Sequence, residues 1–440
     1  MNNSTKNIVT RFPPSPTGLL HVGSLRTALF NFYFAKKNNG EMKFRLEDTN
    51  REKWKQEYED NIIQSMDFFL GIKIENPIRQ SDRVEVYKKY ILKLIESGKA
   101  YISNEAPKEA GERSQVIRFK NPNIKFKFND LILGDIENDT TDLGDFVIAK
   151  DLDHALYHLT VVVDDFEMGI THVIRGQDHI TNTPRQILIQ EALGAPRPFY
   201  AHIPLILAPD KTKLSKRHGA TAVSDYLFQG FLPEALVNFL SLIGWNPGDE
   251  REILSLEELI NEFTLEKVHK NGAVFDVQKL TWMNKEYIKL LDNDKLLKYV
   301  LKFLPISIKN LPGFSTEMLV RLLPIIRDRI AIFSDIDDMA ISGDLDYFFK
   351  KPKYEKSLLK TTEFIPELLS MIENLNDNDF TAELIKTRIW DFATEKGRGN
   401  VLWPMRVALS GAVKSPDPFT LAAILGKYET MERLKFAVNK

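Results

Sequence analysis

The chain has 440 residues, of which 43% are hydrophobic and 27% charged, and its formal net charge is -2. This length exceeds one ordinary core and predicts two to four domains, while the composition excludes a disordered chain. The absence of cysteine excludes disulfides, thiolate zinc sites and cysteine nucleophiles, and the near-neutral charge confines any nucleic-acid site to a local basic patch.

The first elements in chain order predict a strand–helix–strand unit. Residues 7–12 read as a buried strand, and apolar residues at helical spacing over 25–35 predict a helix that Asn39 and Gly40 close. A second strand follows over 42–46. Such a unit predicts parallel strands with a crossover helix, and ligands bind beyond the carboxyl ends of such strands.

The middle of the chain has a different pattern. Residues 76–150 begin with a charged helical pattern and continue as a polar stretch, which predicts an insertion with few strands and a small core. Strands are predicted to resume over 159–163, 171–174 and 199–207. From about residue 220 the pattern is helical to the end. No apolar run of about 18 residues and no signal-peptide pattern occur, so a cytoplasmic protein without membrane association is expected.

The turn between the first strand and helix contains candidate nucleotide-binding residues, namely His21, Gly23 and Ser24. A helix start offers free N–H groups to phosphate, glycine lets the backbone approach a ligand, and His21 is able to donate to a phosphate oxygen. The alternative is an ordinary loop with a capping serine.

A second candidate is the basic run over 211–219, which contains Lys213, Ser215, Lys216 and Arg217. Four cations in seven residues, followed by glycine, favour a mobile loop that clamps phosphates. A solvated basic turn is the alternative.

Taken in order, His21-Val22-Gly23-Ser24 and Lys213-Leu214-Ser215-Lys216-Arg217 resemble the two signatures of class I aminoacyl-tRNA synthetases, H-x-G-H and K-M-S-K-[SR]. Further segments make the chain similar to bacterial glutamyl-tRNA synthetases over nearly its whole length: Arg11-Phe12-Pro13-Pro14-Ser15-Pro16-Thr17-Gly18, Arg45-Leu46-Glu47-Asp48-Thr49-Asn50-Arg51, Tyr157-His158-Leu159, Val163-Asp164-Asp165 and Val173-Ile174-Arg175-Gly176. The chain departs from the family pattern at Ser24, Leu214 and Gln177, the last of which stands where many relatives have glutamate.

The resemblance implies an α/β Rossmann-type catalytic domain, residues 1–83 and 150–220, split by an α/β insertion at 84–149 that binds the acceptor stem. A stem-contact domain at 221–300 and an all-helical anticodon-binding domain at 301–440 would follow.

It also implies an activity. L-Glutamate would react with ATP, with Mg²⁺ on the phosphates, to give glutamyl-adenylate, and tRNA-Glu would accept the glutamyl group on its 3′-terminal adenosine. The first step would need bound tRNA, and charging of tRNA-Gln as well is left open. A monomer is expected, and without cysteine no zinc is expected.

The family's catalytic positions match His21, Lys213 and Lys216, and its ATP site adds Gly23, Ser24, Ser215 and Arg217. Glutamate-binding positions match Arg11 and Arg175 for the side-chain carboxylate, Glu47 for the α-ammonium, and Ser15 and Tyr157 for further contacts. Arginine suits this role because its fork of donors binds a carboxylate bidentately. By residue type alone, Arg11 and Glu47 are equally compatible with a structural ion pair, and Tyr157 with the core.

Arg329 and Arg406 match anticodon-binding positions, and surface arginines are the alternative reading. Three rival functions are a glutamyl-queuosine synthetase, which lacks the helical C-terminal domain, a nucleotidyltransferase acting on a small metabolite, and a silent tRNA-binding paralogue.

Overall fold

The computed structural model of the chain describes residues 7–105, 115–215, 217, 219 and 221–439. A first unit ends at Asn284 and a second begins at Lys285. The described strands lie in the first unit and are β1 (Val9–Phe12), β2 (Glu41–Leu46), β3 (Ile78–Arg79), β4 (Ala100–Asn104), β5 (Gln115–Phe119), β6 (Lys125–Asp130), β7 (Gly134–Asp139), β8 (Phe146–Ala149), β9 (His172–Gly176), β10 (Phe199–Ile203), β11 (Ile206–Leu207) and β12 (Ala273–Val274).

The helices of the first unit are α1 (Val22–Lys37), α2 (Gln56–Leu70), α3 (Val84–Glu96), α4 (Tyr157–Glu167), α5 (Thr183–Leu193), α6 (Val223–Phe228), α7 (Pro233–Leu242), α8 (Leu256–Glu262) and α9 (Val277–Leu290), which crosses the unit boundary. Those of the second unit are α10 (Asn293–Phe303), α11 (Ile306–Lys309), α12 (Thr316–Arg329), α13 (Asp335–Ile341), α14 (Asp346–Phe349), α15 (Ile365–Glu373), α16 (Ala382–Lys396), α17 (Arg398–Ser410) and α18 (Pro418–Asn439).

The predicted strand–helix–strand unit is confirmed. β1 and β2 pair in parallel, with Arg11 opposite Lys43, and α1 connects them. The apolar face predicted for α1 is buried, with Leu25 and Leu29 fully enclosed. The chain leaves the helix through Asn39, whose φ of 55° is a left-handed conformation that asparagine tolerates better than most residues.

Parallel strands continue on both sides of β1 and β2. Thr171 N donates to Val9 O at 3.0 Å, which places the start of β9 beside β1. β9 pairs in parallel with β10, and β10 pairs in turn with β6, where Tyr200 lies opposite Asp130. β2 pairs in parallel with β3. The carboxyl ends of β1, β2 and β9 therefore lie along one edge, where α/β sheets bind their ligands.

The polar stretch within 76–150 contains more strands than predicted. β4, β5 and β8 form an antiparallel sheet, and β6 and β7 form a hairpin that extends the parallel strands at β10. Polar residues alternate with apolar ones here, so that in β6 Phe128 is buried while Lys125 and Lys127 are exposed. The prediction of a small core was also wrong, because residues such as Phe119 share a cluster with α3, α4 and α5.

The strand predicted over 159–163 is instead part of α4. Its three consecutive valines, 161–163, favour a strand because they are branched at Cβ. The helix is buried on every side over 159–165, so the sequence shows no apolar period that would distinguish it from a buried strand. The strands predicted over 171–174 and 199–207 are present as β9, β10 and β11.

The second unit is helical, as the pattern beyond residue 220 predicts. In α12, Leu319, Leu322, Leu323 and Ile326 recur at helical spacing and are buried. α18 is interrupted at Gly426, whose φ of 81° glycine adopts readily. None of the helices that the structure describes is both long enough and apolar enough to span a bilayer.

Candidate active site

The predicted phosphate-binding segment lies at the start of α1. His21 is the N-cap residue, and its Nδ1 accepts from Ser24 N at 3.2 Å, while the Ser24 hydroxyl lies 3.0 Å from His21 Nε2. A Cβ on Gly23 would lie 3.2 Å from the imidazole, so glycine lets the ring lie against the helix start. The N–H groups of such a first helical turn suit an anion.

The residues that follow the basic loop contact this segment. His21 and Ala222 form an isolated antiparallel bridge, and Val22 N donates to Thr221 O at 3.0 Å. Burial lowers the pKa of His21, and the positive charge of Lys213 lowers it further. Two sequence signatures that lie far apart along the chain therefore meet in the fold.

The remaining predicted residues of the loop are only partly described. Arg217 Nη2 donates to Thr212 Oγ1 at 3.3 Å, and Ser215 follows Leu214, whose N donates to Ile206 O at 3.0 Å. Lys216 lies outside the described residues, so its role in catalysis stays a prediction.

A short 3₁₀-helical turn, Gln177–Asn182, follows β9 and lies beside the phosphate-binding segment. Asp178 Oδ2 pairs with Lys213 Nζ at 2.7 Å, and its negative charge raises the pKa of His21, against burial and Lys213. A Cβ on Gly176 would clash with Asp178 Oδ1. Glycine at the end of β9 is therefore what allows this carboxylate to occupy its position.

The next residue of the turn belongs to the predicted amino-acid pocket. His179 Nδ1 lies 3.1 Å from the Tyr157 hydroxyl, and burial together with the charge of Arg175 lowers the pKa of His179 to about 4. This turn thus connects the nucleotide segment with the pocket through consecutive residues.

Buried charges form a network at the ends of β1 and β2. Asp165 accepts from Arg45 Nη1 at 2.7 Å and from Arg11 Nε at 3.4 Å, and Arg45 Nη2 donates to Glu47 Oε1 at 3.0 Å. Burial raises the pKa of Glu47, which the charges of Arg45 and Arg11 oppose. A direct Arg11–Glu47 ion pair is not formed between these described residues, since Asp165 and Arg45 are their partners.

Ser15 and Tyr157 complete the set predicted from the sequence. The Ser15 hydroxyl donates to Glu47 O at 2.8 Å, which ties the loop after β1 to the end of β2. Burial raises the pKa of Tyr157, and the negative charge of Glu47 raises it further, while Arg175 and Arg11 act in the opposite direction. The fold therefore brings Arg11, Glu47, Tyr157 and Arg175 within electrostatic reach of one another, and Ser15 joins them through its hydrogen bond to Glu47.

Arg175 is a buried cation on β9 that is held by uncharged partners. Its Nη1 donates to Gln186 Oε1 at 2.7 Å, its Nη2 to Thr183 Oγ1 at 2.8 Å, and its Nε to His202 Nε2 at 3.1 Å. Burial lowers the pKa of Arg175, and in the described part of the chain no carboxylate is paired with it. Its orientation is thus set while its charge is left for an anionic ligand.

Several charged residues of the site received no role from the sequence, among them Arg45, Asp165, Asp178 and His179. A signal was present for two of them. Arg45 is the penultimate residue of β2, beside Leu46, and Asp165 lies two residues after three consecutive valines. Charged residues in such buried surroundings need a partner, which marks them as members of a polar network.

Arg329 and Arg406 lie in the second unit, each with a contact of its own. Arg329, the last residue of α12, pairs with Asp344 at 3.0 Å, and both side chains are 35% exposed. Arg406 Nη2 donates to Val413 O at 2.8 Å, and its guanidinium lies 4.6 Å from the centre of the Trp403 ring. Both arginines remain partly accessible.

Comparison with family models assigns both parts of the chain. Residues 7–113 and 104–282 match the model for tRNA synthetases class I (E and Q), catalytic domain, and residues 295–438 match the model for an anticodon-binding domain.

Curated relatives and solved structures agree with these models. The chain is 40% identical to the glutamate–tRNA ligase of Thermodesulfovibrio yellowstonii, covering 98% of this chain and 99% of the relative, and 36% identical to glutamate–tRNA ligase 2 of Fervidobacterium nodosum, covering 100% and 98%. A crystal structure of a glutamate tRNA ligase from Elizabethkingia meningosepticum in complex with its amino acid has a TM-score of 0.85 at 31% identity, covering 99% of this chain and 100% of that one. The chain therefore belongs to the glutamate–tRNA ligase family of class I tRNA synthetases.

Proposed function

We propose that this protein activates L-glutamate with ATP and transfers the glutamyl group to the 3′-terminal adenosine of tRNA-Glu. One observation carries the proposal. Arg11, Arg175, Glu47 and Tyr157 lie within electrostatic range of one another and carry both charge signs, and one turn connects them to the segment where the charge of Lys213 acts on His21. A ligand with one ammonium and two carboxylates, presented beside a triphosphate, matches that arrangement.

Specific roles follow from the charges. Arg175 and Arg11 would bind the side-chain carboxylate, and Glu47 the α-ammonium, with Ser15 and Tyr157 bordering the ligand. Glutamine would be disfavoured, because a neutral amide leaves the buried charge of Arg175 without an anionic partner. The network through Asp165 and Arg45 would hold Arg11 and Glu47 in place.

ATP is proposed to bind at the start of α1, with Gly23 and Ser24 near the phosphates. Ser215 and Arg217 of the basic loop would also contact ATP. His21, Lys213 and Lys216 would stabilise charge on the phosphates as the α-carboxylate of glutamate attacks. Positioning and charge stabilisation would thus supply most of the catalysis.

Mg²⁺ would enter with ATP. Asp178, the carboxylate whose charge raises the pKa of His21, is already paired with Lys213. Phosphate oxygens and water would therefore supply most of the ligands of the Mg²⁺ ion. When bound, the ion would neutralise phosphate charge.

The rival functions differ in the product. Glutamate-dependent exchange of pyrophosphate into ATP, measured with and without tRNA, tests the proposal, and we expect exchange only when tRNA is present. Glutamate should then be found on the 3′ end of tRNA-Glu. Label on an internal base would favour a glutamyl-queuosine synthetase, and exchange supported by a different small molecule would favour another nucleotidyltransferase. Binding of tRNA without any exchange would indicate a silent paralogue.

The assembly and location are part of the same proposal. We infer a cytoplasmic monomer, because a single chain contains both the catalytic and the anticodon-binding units. Sedimentation of the purified protein as a dimer at micromolar concentration would contradict the monomer.

Zinc is not expected to be required. The insertion has no cysteine, and thiolates are the usual ligands of a structural zinc in a small domain. Metal analysis of the purified, active protein should find zinc far below one ion per chain, and activity should survive a zinc chelator. Stoichiometric zinc lost together with activity would contradict this prediction.

Arg329 is proposed to read the anticodon and to favour tRNA-Glu over tRNA-Gln. Arg329→Gln should reduce the free-energy difference between charging of tRNA-Glu and of tRNA-Gln by about 1–3 kcal/mol. This is the scale of one good base contact, judged from protein–DNA readout. The measurement is kcat/KM for charging of the two tRNA transcripts.

Arg327→Gln is the matched control for Arg329→Gln. Arg327 lies on the same helix but is less exposed than Arg329, and it donates to Leu291 O at 3.0 Å and to Asn293 Oδ1 at 2.9 Å. Equal charging of both tRNAs by the wild type would refute the preference. A larger change in the Arg327 variant would move the role to that residue.

A further inference from the structure

A buried pair behind Arg175 has no role in the chemistry proposed above. Asp130 Oδ2 lies 2.6 Å from His202 Nδ1, and both side chains are fully enclosed. On the opposite edge of the imidazole, Nε2 lies 3.1 Å from Arg175 Nε. The three side chains thus form a line of hydrogen bonds from β6 through β10 to β9.

Asp130 must be the acceptor in this line. It also accepts from the backbone N–H groups of His202 at 3.1 Å, Ile132 at 3.0 Å and Leu133 at 2.9 Å. Burial alone would raise the pKa of Asp130, but the hydrogen bond from His202 and these N–H groups outweigh burial and lower it. An ionised carboxylate only accepts hydrogen bonds, so the proton of the shared bond lies on Nδ1 of His202.

His202 is then the neutral tautomer that Arg175 requires. Burial lowers the pKa of His202, and the positive charge of Arg175 lowers it further, against the opposing effect of Asp130. With its proton on Nδ1, the ring presents the lone pair of Nε2 to the Nε–H of Arg175 and to the Thr183 hydroxyl, which also lies 3.1 Å from Nε2. The other tautomer, or the doubly protonated ring, would set one N–H against another.

Holding Nε fixes the plane of the guanidinium. Nη1 and Nη2 carry two N–H groups each. Nη1 donates to Gln186. Nη2 donates to Thr183 and, at 3.5 Å, to His179 O. Among the described contacts, Nη1 therefore keeps one N–H for a ligand. Where that N–H points depends on the plane, because the guanidinium is rigid and flat.

We propose that Asp130 and His202 are positioning residues that aim Arg175 at the side-chain carboxylate of glutamate, and that Asp130 acts by selecting the tautomer of His202. This inference rests on the proposed function for its substrate. It assigns to the β6–β7 hairpin of the insertion a direct contribution to the amino-acid pocket, since Asp130 is the last residue of β6.

The first test is Asp130→Asn, assayed by pyrophosphate exchange in the presence of tRNA. Asparagine keeps an oxygen for the hairpin turn but is able to offer N–H to His202, which removes the preference for the proton on Nδ1. The KM for glutamate should rise by roughly 10- to 100-fold, with the KM for ATP and kcat changed by less than about 3-fold. Asp135→Asn is the control, because it removes an equal charge from an exposed position on the same hairpin.

The second test separates positioning from a structural role. In His202→Gln, the amide oxygen takes the place of Nε2 as an acceptor for Arg175 without needing a tautomer. Glutamate KM should stay within about 5-fold of the wild type, and adding Asp130→Asn to this variant should change it no further. A full Asp130→Asn effect in the glutamine background, or equal rises in the KM for glutamate and ATP, would overturn the inference.

The tautomer is also measurable without any activity. Nitrogen-15 chemical shifts of the imidazole, assigned by their loss in His202→Gln, should show a protonated Nδ1 in the wild type and in Asp135→Asn and a smaller fraction protonated at Nδ1 in Asp130→Asn. An unprotonated Nδ1 in the wild type would overturn the inference whatever the protein activates. Failure of the wild type to activate glutamate would instead contradict the proposed function, so the two failures are distinguishable.

Discussion

Replacing Arg175 by alanine should lower kcat/KM for glutamate by roughly 30- to 1,000-fold. Arg175 is 5% exposed, and its guanidinium is held by Gln186, Thr183 and His202, with no paired carboxylate among the described residues. An incoming carboxylate would therefore gain a charge-assisted hydrogen bond in surroundings from which water is largely excluded. The KM for ATP should change far less, because the phosphates are proposed to bind at the start of α1.

The measurement is pyrophosphate exchange with glutamate and ATP varied separately. Arg197→Ala serves as the control, because it removes an arginine from the loop after α5 that is 35% exposed and pairs with Glu191. Arg175→Lys should recover little, since an ammonium does not reproduce the planar fork. Unchanged glutamate kinetics in Arg175→Ala would remove this residue from the pocket.

Asp165→Asn should lower the free energy of unfolding of the first unit by about 3–5 kcal/mol. Asp165 accepts from both Arg11 and Arg45, and its own side chain is 6% exposed. The substitution leaves Arg11 and Arg45 buried with less compensating negative charge. Burying a poorly compensated charge destabilises the fold by more than the intact ion pairs stabilise it. Glutamate activation should fall as well, because Arg11 would lose its carboxylate partner and Arg45 would keep only Glu47 and Asp164.

Calorimetry of the whole chain checks this prediction, since two units need not unfold in a single transition. Asp153→Asn is the control; Asp153 is 58% exposed and pairs with Lys88 on the surface, where an ion pair contributes about 0–1 kcal/mol. Equal effects of the two substitutions would show that the Asp165 network contributes no more than a surface pair.

The effect of Asp165→Asn should also depend on pH in a defined direction. Burial alone would raise the pKa of Asp165, but Arg11 and Arg45 outweigh burial and hold it below the ordinary value of 3.8. The stability that this carboxylate contributes is therefore fully present above about pH 5 and is lost as the pH falls through 3.8 and below. The difference between wild type and variant should shrink over that acidic range.

Local sequence was sufficient wherever a pattern has a single structural solution. The strand–helix–strand unit at the start was predicted because apolar residues recur at helical spacing over 25–35 and turn residues follow the helix, even though α1 is buried continuously over 28–33. The helical second unit was predicted for the same reason, since residues such as Leu322 and Ile326 recur at helical spacing. The residues proposed to bind glutamate and ATP came from motif resemblance, with chemistry that agrees.

Tertiary structure decided the elements whose local signals conflict or are absent. The valines of α4 favour a strand, and because the segment is buried on every side, no apolar period in the sequence distinguishes a helix from a strand. The hairpin of β6 and β7 carries few apolar residues because one face is exposed, so its pairing with β10 could not be read from composition.

The partners of buried charges were also decided only in the fold. Arg11 pairs with Asp165, which lies far from it in sequence, and Arg175 is held through His202 by Asp130 from the insertion. A sequence shows which side chains carry charge or a proton, but strong electrostatic and hydrogen-bonding partners are selected by distances of about 3 Å, and those distances exist only after the strands have assembled.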